Sequence, residues 1–418
     1  MKIVIINDSA QIVGGAAQVA IASAGALASR GNEVIFFTAT PLRDSILIPS
    51  RELRLVTTSQ FDILNDPNRL RASIQGVWNF RAIQLLNQIL SELDPKQTVV
   101  HIHTWVKALS PALVKQVIKQ RFPSVCTLHD YFTACPTGSF YLHNKLAICP
   151  HKPLSIECIT ENCDSRSFSH KMWRLGRHFI QSQLYDIPKA LRYFIVLSQL
   201  SKKVLVPYLD PRSRFELIDN PIDIPKLPPV PVDRNHTFVA VGRLAKEKGL
   251  NLLAKASRQL GVRTILVGEG DCRDQLLRIN AQLEITGWLS KAEVLKVLME
   301  ARTLVFPSLW YEASPLVIRE AAALGIPAIV PDTCTAREQV EDGVTGLWFR
   351  GGDCDDLALK MQILHNNPGL AIELGSMAYR RYWENPFTLD RHLLALESYY
   401  QCILDNSAAC ENGMRLRQ

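Results

Sequence analysis

Two carboxylates flank one predicted turn in the last third of the chain. Glu312 precedes the segment Ala313, Ser314, Pro315 and Leu316, and Glu320 lies eight positions after Glu312 on the helix predicted to follow. Proline is well tolerated at a helix start, where unpaired backbone N–H groups attract oxygen ligands. One such glutamate is often only a partner of the helix dipole. Two of them can hold sugar hydroxyls at one end of the turn and a ribose at the other.

Two cations lie where the strand ending at Val241 runs into a predicted helix. Arg243 and Lys248 are five residues apart, and charge-assisted hydrogen bonds from each to a diphosphate would contribute about 1.5–3 kcal/mol. A solvated basic loop is the alternative. Gly268 and Gly270 form a second glycine-rich turn between a strand and a helix.

The amino-terminal turn and one histidine are further candidates. Gly14 and Gly15 lie between a strand and a helix, where backbone N–H groups can approach an anion, although the spacing does not match Gly-x-Gly-x-x-Gly. A plain tight turn is the alternative. His129 follows an apolar run, and a lone histidine at a strand end is typical of a hydrogen-bonded core residue.

Four cysteines, Cys135, Cys149, Cys158 and Cys163, fall within 29 positions. In a reducing compartment such a cluster favours a structural zinc or iron–sulfur site over disulfides. We expect the four thiolates to converge and to staple a long irregular loop. Two disulfides or four unpaired buried thiols are the alternatives. The triplet at 353–355 resembles a metal-binding Asp-x-Asp, but we interpret Asp353 as a helix N-cap.

The elements that must position these residues alternate between apolar strands and helices, which predicts α/β domains with parallel sheets. The segment 220–231 holds five prolines and predicts a linker. We therefore expect two doubly wound, Rossmann-like domains, 1–222 and 223–384, facing each other across a cleft at the carboxyl ends of their strands.

Composition narrows the function classes. The chain has 47 Lys and Arg against 40 Asp and Glu, a net charge of +7, and 47% hydrophobic residues. This excludes a wholly disordered chain and falls short of a nucleic-acid-binding signature. No apolar run approaches the roughly 20 residues of a membrane span, so we expect a cytoplasmic protein. The basic, partly aromatic segment 166–178 could hold it against anionic lipid on the inner face of the plasma membrane, with a solvated helix face as the alternative.

Taken together, the motifs resemble those of the retaining glycosyltransferases of family 4, which have the GT-B fold. The resemblance rests on the Gly14-Gly15 turn, Gly242-Arg243-Leu244 with Lys248-Gly249, Gly268-Glu269-Gly270, the pair Glu312 and Glu320, and 342–347. It covers nearly the whole chain in order and spacing. It implies that the first domain binds the acceptor, that the second binds the nucleotide sugar, and that a final helix at about 385–406 packs back on the first domain.

The resemblance also assigns roles. Arg243 and Lys248 would bind the diphosphate of a UDP- or GDP-sugar, Glu320 its ribose, and the backbone of 313–316, with the Gly15 and Gly268 turns, the rest of the donor. Glu312 and His129 would act at the donor sugar, without a catalytic metal.

His101 and His103 are interpreted as structural. The implied activity is hexosyl transfer to a glycan, a lipid-linked or a small-molecule acceptor in cell-surface polysaccharide or glycoconjugate biosynthesis. A nucleotide-sugar epimerase and a catalytically silent GT-B scaffold subunit are the alternatives.

Overall fold

The computed structural model describes residues 1–12, 14–41 and 49–405, and these form two compact units. Unit 1 comprises the described residues of 1–138, 151–221 and 388–405. Unit 2 comprises residues 222–387 and a short segment, 139–150, from the first half of the sequence. No helix in the described ranges is long and apolar enough to cross a membrane.

The described residues up to 222 form nine strands and seven α-helices, numbered in chain order. The strands are β1 (Lys2–Ile6), β2 (Glu33–Thr38), β3 (Leu53–Thr57), β4 (Thr98–Ile102), β5 (Ser124–Thr127), β6 (Tyr141–Leu142), β7 (Ala147–Ile148), β8 (Tyr193–Val196) and β9 (Arg214–Leu217). The helices are α1 (Gly15–Ser29), α2 (Arg69–Gln75), α3 (Phe80–Ser91), α4 (Pro111–Lys119), α5 (Ile156–Thr160), α6 (Phe168–Phe179) and α7 (Gln199–Leu205). A π-helical turn, Ile180–Leu184, continues α6.

Unit 1 is built on a seven-stranded parallel sheet in the order β3-β2-β1-β4-β5-β8-β9. Its central strands are apolar on both faces, so helices must cover both sides. Val4 of β1 lies between Ile35 of β2 and Val100 of β4. The order reverses direction at β1 and β4, and such a switch point is where open α/β sheets bind ligands, beyond the carboxyl ends of the strands.

Residues 223–405 form six strands and seven α-helices. The strands are β10 (Thr237–Val241), β11 (Thr264–Val267), β12 (Glu284–Gly287), β13 (Ala301–Val305), β14 (Ala328–Pro331) and β15 (Gly346–Phe349). The helices are α8 (Leu250–Leu260), α9 (Arg273–Ile279), α10 (Lys291–Met299), α11 (Leu316–Ala323), α12 (Cys354–Asn366), α13 (Pro368–Glu384) and α14 (Leu389–Leu404).

Unit 2 contains a six-stranded parallel sheet in the order β12-β11-β10-β13-β14-β15. Alternate residues of its strands enter two separate apolar clusters, as shown by Phe238 in one and Val239 in the other. The sheet is therefore covered on both faces. The short antiparallel hairpin of β6 and β7 also belongs to this unit.

Side-chain caps fix where several helices begin. Asp353 accepts hydrogen bonds from the backbone N–H groups of Asp355 and Asp356, which confirms that the 353–355 triplet starts a helix. Ser290 and Glu293 form a reciprocal capping box at α10. The last helix, α14, packs in unit 1, where its His392 ring nitrogen lies 3.1 Å from the Ser23 hydroxyl of α1.

Candidate functional site

A partly buried ion pair joins two of the predicted site residues in unit 2. The Lys248 ammonium donates a hydrogen bond of 2.7 Å to Oε1 of Glu312, and the Ser308 hydroxyl donates to the same oxygen at 2.7 Å. Lys248 also lies over the rings of Trp310 and Phe306, with Nζ 5.5 and 5.9 Å from the ring centroids. The amine is thus held by a carboxylate on one side and by aromatic faces on others.

The backbone around this pair adopts conformations that few side chains tolerate. Glu312 has φ of 55°, in the left-handed region, which is uncommon for a residue with a Cβ atom and is typical of functional sites. Gly249, directly after Lys248, also has a positive φ of 64°, and a methyl group there would overlap the carbonyl oxygen of Pro307. The Lys248 loop therefore lies in direct contact with the loop after β13.

A second close approach lies at the ends of β10 and β11. Gly268 has φ of 139°, and a side chain at this position would overlap the carbonyl oxygen of Gly242. Gly270 has the same relation to the carbonyl oxygen of Leu244. These two glycines let the turn after β11 pack against the loop that carries Arg243. The glycine pattern therefore has a packing reason, besides leaving backbone groups accessible to a ligand.

Arg243 is paired with a buried carboxylate that the sequence analysis did not single out. Its guanidinium donates to Glu247, whose own carbonyl oxygen accepts a 2.9 Å hydrogen bond from the backbone N–H of Leu309. The Arg243 side chain is nevertheless 66% exposed, whereas that of Lys248 is only 21% exposed. His143, from the hairpin of β6 and β7, lies 3.7 Å from the second oxygen of Glu247.

The remaining predicted donor residues lie around the start of α11. Ala313, Ser314 and Pro315 form the loop, and Leu316 is the first residue of the helix. Glu320 is one turn further on and is half-buried; burial raises the pKa of its carboxyl, while Lys291 acts in the opposite direction. Glu312 therefore lies in the loop before α11, paired with Lys248, and Glu320 lies within α11, where burial disfavours its charged form.

Unit 1 carries a row of three histidines at the carboxyl ends of β4 and β5. Nδ1 of His103 lies 2.9 Å from Nε2 of His129, and the two rings are stacked with centroids 5.1 Å apart. The centroid of the His101 ring lies 4.0 Å from that of the His103 ring. His101 is fully engaged, because its ring nitrogens contact the hydroxyls of Tyr400 and Thr127 at 2.5 and 2.7 Å.

These histidines are neutral at physiological pH. Burial, with a smaller effect of His392, lowers the pKa of His129 to about 3. Burial also lowers the pKa of His101 and His103 well below the ordinary value. Next to them, burial raises the pKa of the Asp130 carboxyl to about 6, against the opposing effect of its hydrogen bond from the Phe132 N–H. A neutral His129 can accept a hydrogen bond from a hydroxyl or donate one to it, but it carries no charge.

A small cavity of about 10 Å³ lies beside this row, between His103, His129, Trp105 and Thr133. Among the described residues, Nε2 of His103, Nε1 of Trp105 and Oγ1 of Thr133 are buried without a hydrogen-bond partner. A buried polar group without a partner lowers the free energy of unfolding. This cluster of three such groups is therefore suited to hydrogen-bond a polar ligand or a solvent molecule.

The carboxyl end of β1 leads to Asp8, whose side chain is held by hydrogen bonds. Both carboxylate oxygens of Asp8 are used, because they accept hydrogen bonds of 2.8 to 3.0 Å from the backbone N–H groups of Lys107, Ala108 and Leu109. Gly15, predicted to approach the donor, is exposed at the first position of α1, after Gly14 with φ of 156°. The turn is open, as an anion-binding turn requires.

The four cysteines predicted to hold a metal do not all belong to one unit. Cys135, Cys158 and Cys163 are thiols of unit 1, and Cys149 belongs to unit 2. Burial raises the pKa of the Cys158 and Cys163 thiols. Within the described ranges no group of three or more His, Cys, Asp or Glu is arranged to hold a metal ion. The zinc or iron–sulfur site stays a prediction.

Sequence profiles of two known families match the chain. Glycosyltransferase Family 4 matches residues 13–226, just over half of the chain, and Glycosyl transferases group 1 matches residues 228–381. These matches confirm the resemblance that the motifs indicated.

Solved structures share the fold over nearly the whole chain. Sucrose-phosphate synthase from Thermosynechococcus elongatus superposes with a TM-score of 0.72 at 17% identity, covering 97% of this chain and 100% of its own. HepE from Anabaena in complex with UDP-glucose gives 0.67 at 17% identity, covering 96% and 100%. The predicted GT-B class, with two parallel-sheet α/β domains, is therefore confirmed.

A curated relative matches a shorter stretch. The capsular polysaccharide biosynthesis glycosyltransferase CapM from Staphylococcus aureus is 25% identical over 250 residues, which is 55% of this chain and 64% of CapM. In curated relatives at 25% to 27% identity, the matched region spans between 35% and 64% of the relative's own length.

Proposed function

The chain belongs to glycosyltransferase family 4, and we propose from that premise that it transfers a hexose from a UDP- or GDP-sugar to a sugar-containing acceptor, with retention of anomeric configuration. Unit 2 binds the donor and unit 1 selects the acceptor. The observation that carries this proposal is the Lys248–Glu312 pair, a partly exposed ammonium held by a strained, buried carboxylate beside two glycine turns. It is the kind of fixed cation that a diphosphate requires.

Charge development during transfer gives these residues their roles. As the bond between the anomeric carbon and the diphosphate oxygen breaks, negative charge grows on the diphosphate, and the anomeric carbon becomes oxocarbenium-like. Lys248 and Arg243 stabilise the leaving diphosphate without reorganising, because Glu312 and Glu247 already hold them in place. The oxygen of the acceptor hydroxyl bonds to the anomeric carbon, and its proton is released together with the nucleoside diphosphate. Glu320 binds the ribose, and the N–H groups at 313–316 bind the donor's remaining oxygens.

His129 acts as a neutral hydrogen-bonding group. Its low pKa suits a residue that contacts sugar hydroxyls rather than an anion. The ring is oriented by its 2.9 Å contact with His103, so His103 is a positioning residue for it. Retention follows from the family alone, and either attack on the face of departure or a covalent intermediate would give it.

Relatives indicate the acceptor class. CapM is named for capsular polysaccharide biosynthesis, and an Escherichia coli relative at 26% identity is named for transfer of galactose to a sugar carried on diphosphoundecaprenol. We propose an acceptor of this chemistry, a glycan or lipid-linked sugar, in cell-surface polysaccharide or glycoconjugate synthesis.

A panel of UDP- and GDP-hexoses tests the donor assignment. We expect one nucleotide class to raise the melting temperature, since a ligand at about 100 times its Kd adds about 2.7 kcal/mol of stability. Slow release of hexose without acceptor should accompany it, and Lys248→Ala should abolish both. Appearance of an epimer of the donor sugar instead would establish an epimerase. No stabilisation by any nucleotide, with an intact fold, would favour a silent scaffold subunit.

A further inference from the structure

A cavity of about 410 Å³ lies in unit 2, where α11 and α13 pack beside the last two strands of the sheet, β14 and β15. Its volume is within the range of small-molecule sites, roughly 300–1,000 Å³. All the residues that line it lie between 318 and 387, so the cavity belongs to unit 2 alone. Much of its lining is apolar and buried: Ile318, Ile326, Ala328, Val340 and Ala378.

Two arginines of the lining are stacked on aromatic rings that also line the cavity. Cζ of Arg319 lies 3.7 Å from the centroid of the Phe387 ring, and Cζ of Arg337 lies 5.4 Å from that of Trp348. Nη1 of Arg337 donates a 2.9 Å hydrogen bond to the carbonyl oxygen of Asp332, which helps to fix its plane. A guanidinium stacked on a ring keeps its donors in its own plane, where they suit the two oxygens of a carboxylate.

The charges of the lining limit the charge of the ligand. A third arginine, Arg381, donates to Glu341, and the two side chains are 47% and 51% exposed, so this pair neutralises itself in a screened position. Glu338 is the second acidic residue of the lining. Three arginines against two glutamates leave a net charge of +1. A single carboxylate matches this charge better than a phosphate or a diphosphate does.

The cavity also presents a hydrogen-bond acceptor. The amide oxygen of Gln339 is buried, and none of the described residues donates to it. The amide nitrogen of Gln339 lies 3.4 Å from the Ser314 hydroxyl, a contact that orients the amide. A buried acceptor without a donor lowers the free energy of unfolding, and a ligand hydroxyl or N–H would recover this loss. The ligand should therefore carry a donor besides its negative charge.

We infer that this cavity is a second ligand site of unit 2, which binds a small organic monoanion. The ligand has an apolar or aromatic body, one carboxylate, and a hydroxyl or N–H donor. Arg319 and Arg337 bind the carboxylate, and the amide oxygen of Gln339 accepts the hydrogen bond from the donor group.

The site is distinct from the proposed donor site. Neither Lys248 nor Glu312 lines the cavity. Arg319 directly precedes Glu320 in α11, but successive residues of an α-helix point about 100° apart, so the two side chains leave the helix in different directions. The inference therefore does not rest on the proposed glycosyl transfer.

A titration of the full chain with 4-hydroxybenzoate, followed by saturation-transfer NMR, tests the inference. This probe combines a ring, a carboxylate and a hydroxyl, and we expect a Kd of about 1 mM, as is ordinary for a ligand of its size. Benzoate lacks the hydroxyl and 4-hydroxybenzyl alcohol lacks the charge, so each should bind at least about fivefold more weakly. Saturating UDP or GDP should leave the affinity for 4-hydroxybenzoate unchanged.

Three variants locate the probe. Arg337→Gln removes an exposed cation and should weaken binding about 10-fold, and Ala322→Leu should do the same by filling part of the cavity that Ala322 lines. Gln339→Leu should bind benzoate and 4-hydroxybenzoate equally, because the acceptor for the hydroxyl is gone. The matched control is Arg258→Gln. Arg258 is likewise an exposed arginine of unit 2 that donates at 2.9 Å to a carbonyl oxygen, that of Ile279, but it lies outside the cavity.

The control should bind the probe as the parent does. Absence of binding by the parent at about 10 mM probe, or parental affinity in both Arg337→Gln and Ala322→Leu, would overturn the inference. An equal loss in Arg258→Gln would also overturn it, since the effect would then be one of overall charge. Displacement of the probe by UDP or GDP would place it in the donor site instead. Lys248→Ala should lose nucleotide binding and keep the probe, so a failure of the proposed function is distinguishable from a failure of this inference.

Discussion

The two units present their candidate residues in opposite electrostatic forms. In unit 2, the side chains are charged and paired: Lys248 with Glu312, and Arg243 with Glu247. In unit 1, the row of His101, His103 and His129 is neutral and its members contact one another. Fixed cations suit a diphosphate whose charge grows during reaction, and neutral rings suit uncharged sugar hydroxyls. The comparison therefore predicts that unit 2 recognises charge and unit 1 recognises hydroxyl groups. Substitutions in one unit can test each prediction separately.

The largest effect should come from Lys248→Ala. The substitution removes the fixed ammonium and leaves the Glu312 carboxylate, 2.7 Å away in the parent, buried without its cation and facing an incoming anion. We expect nucleoside diphosphate affinity to fall about 100-fold, as measured by titration calorimetry with UDP and GDP. Lys248→Arg should recover part of it. Parental affinity in the alanine variant would remove Lys248 from the donor site.

The histidine row should respond in turnover rather than in donor affinity. His129→Ala should lower kcat about 100-fold, while the affinity for the nucleoside diphosphate changes by less than about threefold. Steady-state kinetics with the identified donor and acceptor, beside calorimetry with UDP and GDP, measure both. A variant with parental kcat would show that His129 is a core histidine, the alternative weighed from the sequence.

His103→Leu should have a smaller effect of the same kind. It keeps an apolar side chain next to His129 but removes the 2.9 Å contact that orients the ring. We expect kcat to fall about 10-fold with little change in donor affinity. A merely structural His103 would lower the melting temperature and leave kcat at the parental value.

Arg243→Ala should matter less than Lys248→Ala. The Arg243 side chain is 66% exposed, so its interaction with a diphosphate is screened by solvent. We expect affinity for UDP or GDP to fall about 10-fold, and the difference from the parent to shrink as salt rises. Equal losses for the two variants at all salt concentrations would contradict the contrast in burial on which this ranking rests.

The sequence predicts the alternation of strands and helices, but not the contacts between residues that are far apart in the chain. Strands apolar on both faces, such as Lys2–Ile6 and Glu33–Thr38, are recognisable as apolar runs in the sequence. The edge strands Leu53–Thr57 and Arg214–Leu217 are not, because polar residues interrupt their apolar pattern. Candidate residues such as Lys248 and Glu312 were found from their types and local spacing.

Their pairing was not predictable in this way. The Lys248–Glu312 bond joins residues 64 positions apart, and the Arg243–Glu247 pair depends on a carboxylate buried by tertiary packing. The same limit applies to helix α6. Helical spacing identifies an amphipathic helix but not which face packs inward, and in α6 tertiary contacts to Lys171 and Arg177 turn the polar face toward the protein.

The smallest expected effect concerns the protonation of unit 1. Burial raises the pKa of Asp130 from about 3.8, its ordinary value, to about 6, so the folded protein binds its proton more tightly than the unfolded chain does. Ionisation of this carboxyl therefore costs stability: the cost is absent below about pH 4, develops as the pH rises, and is complete above about pH 6. Asp130→Asn should remove it while keeping an oxygen that accepts the Phe132 N–H. We expect the variant to be more stable than the parent by about 1 kcal/mol at pH 7, after allowance for partial exposure, and equally stable at pH 4.

Asp66→Asn supplies a control of opposite sign, since the Arg71 guanidinium lowers the pKa of Asp66 through hydrogen bonds of 2.7 and 2.8 Å. That variant should lose stability at pH 7 and progressively less below pH 4. Melting temperatures of both variants across this pH range decide the matter, and a pH-independent difference for Asp130→Asn would show that its carboxyl is not held in its neutral form by burial.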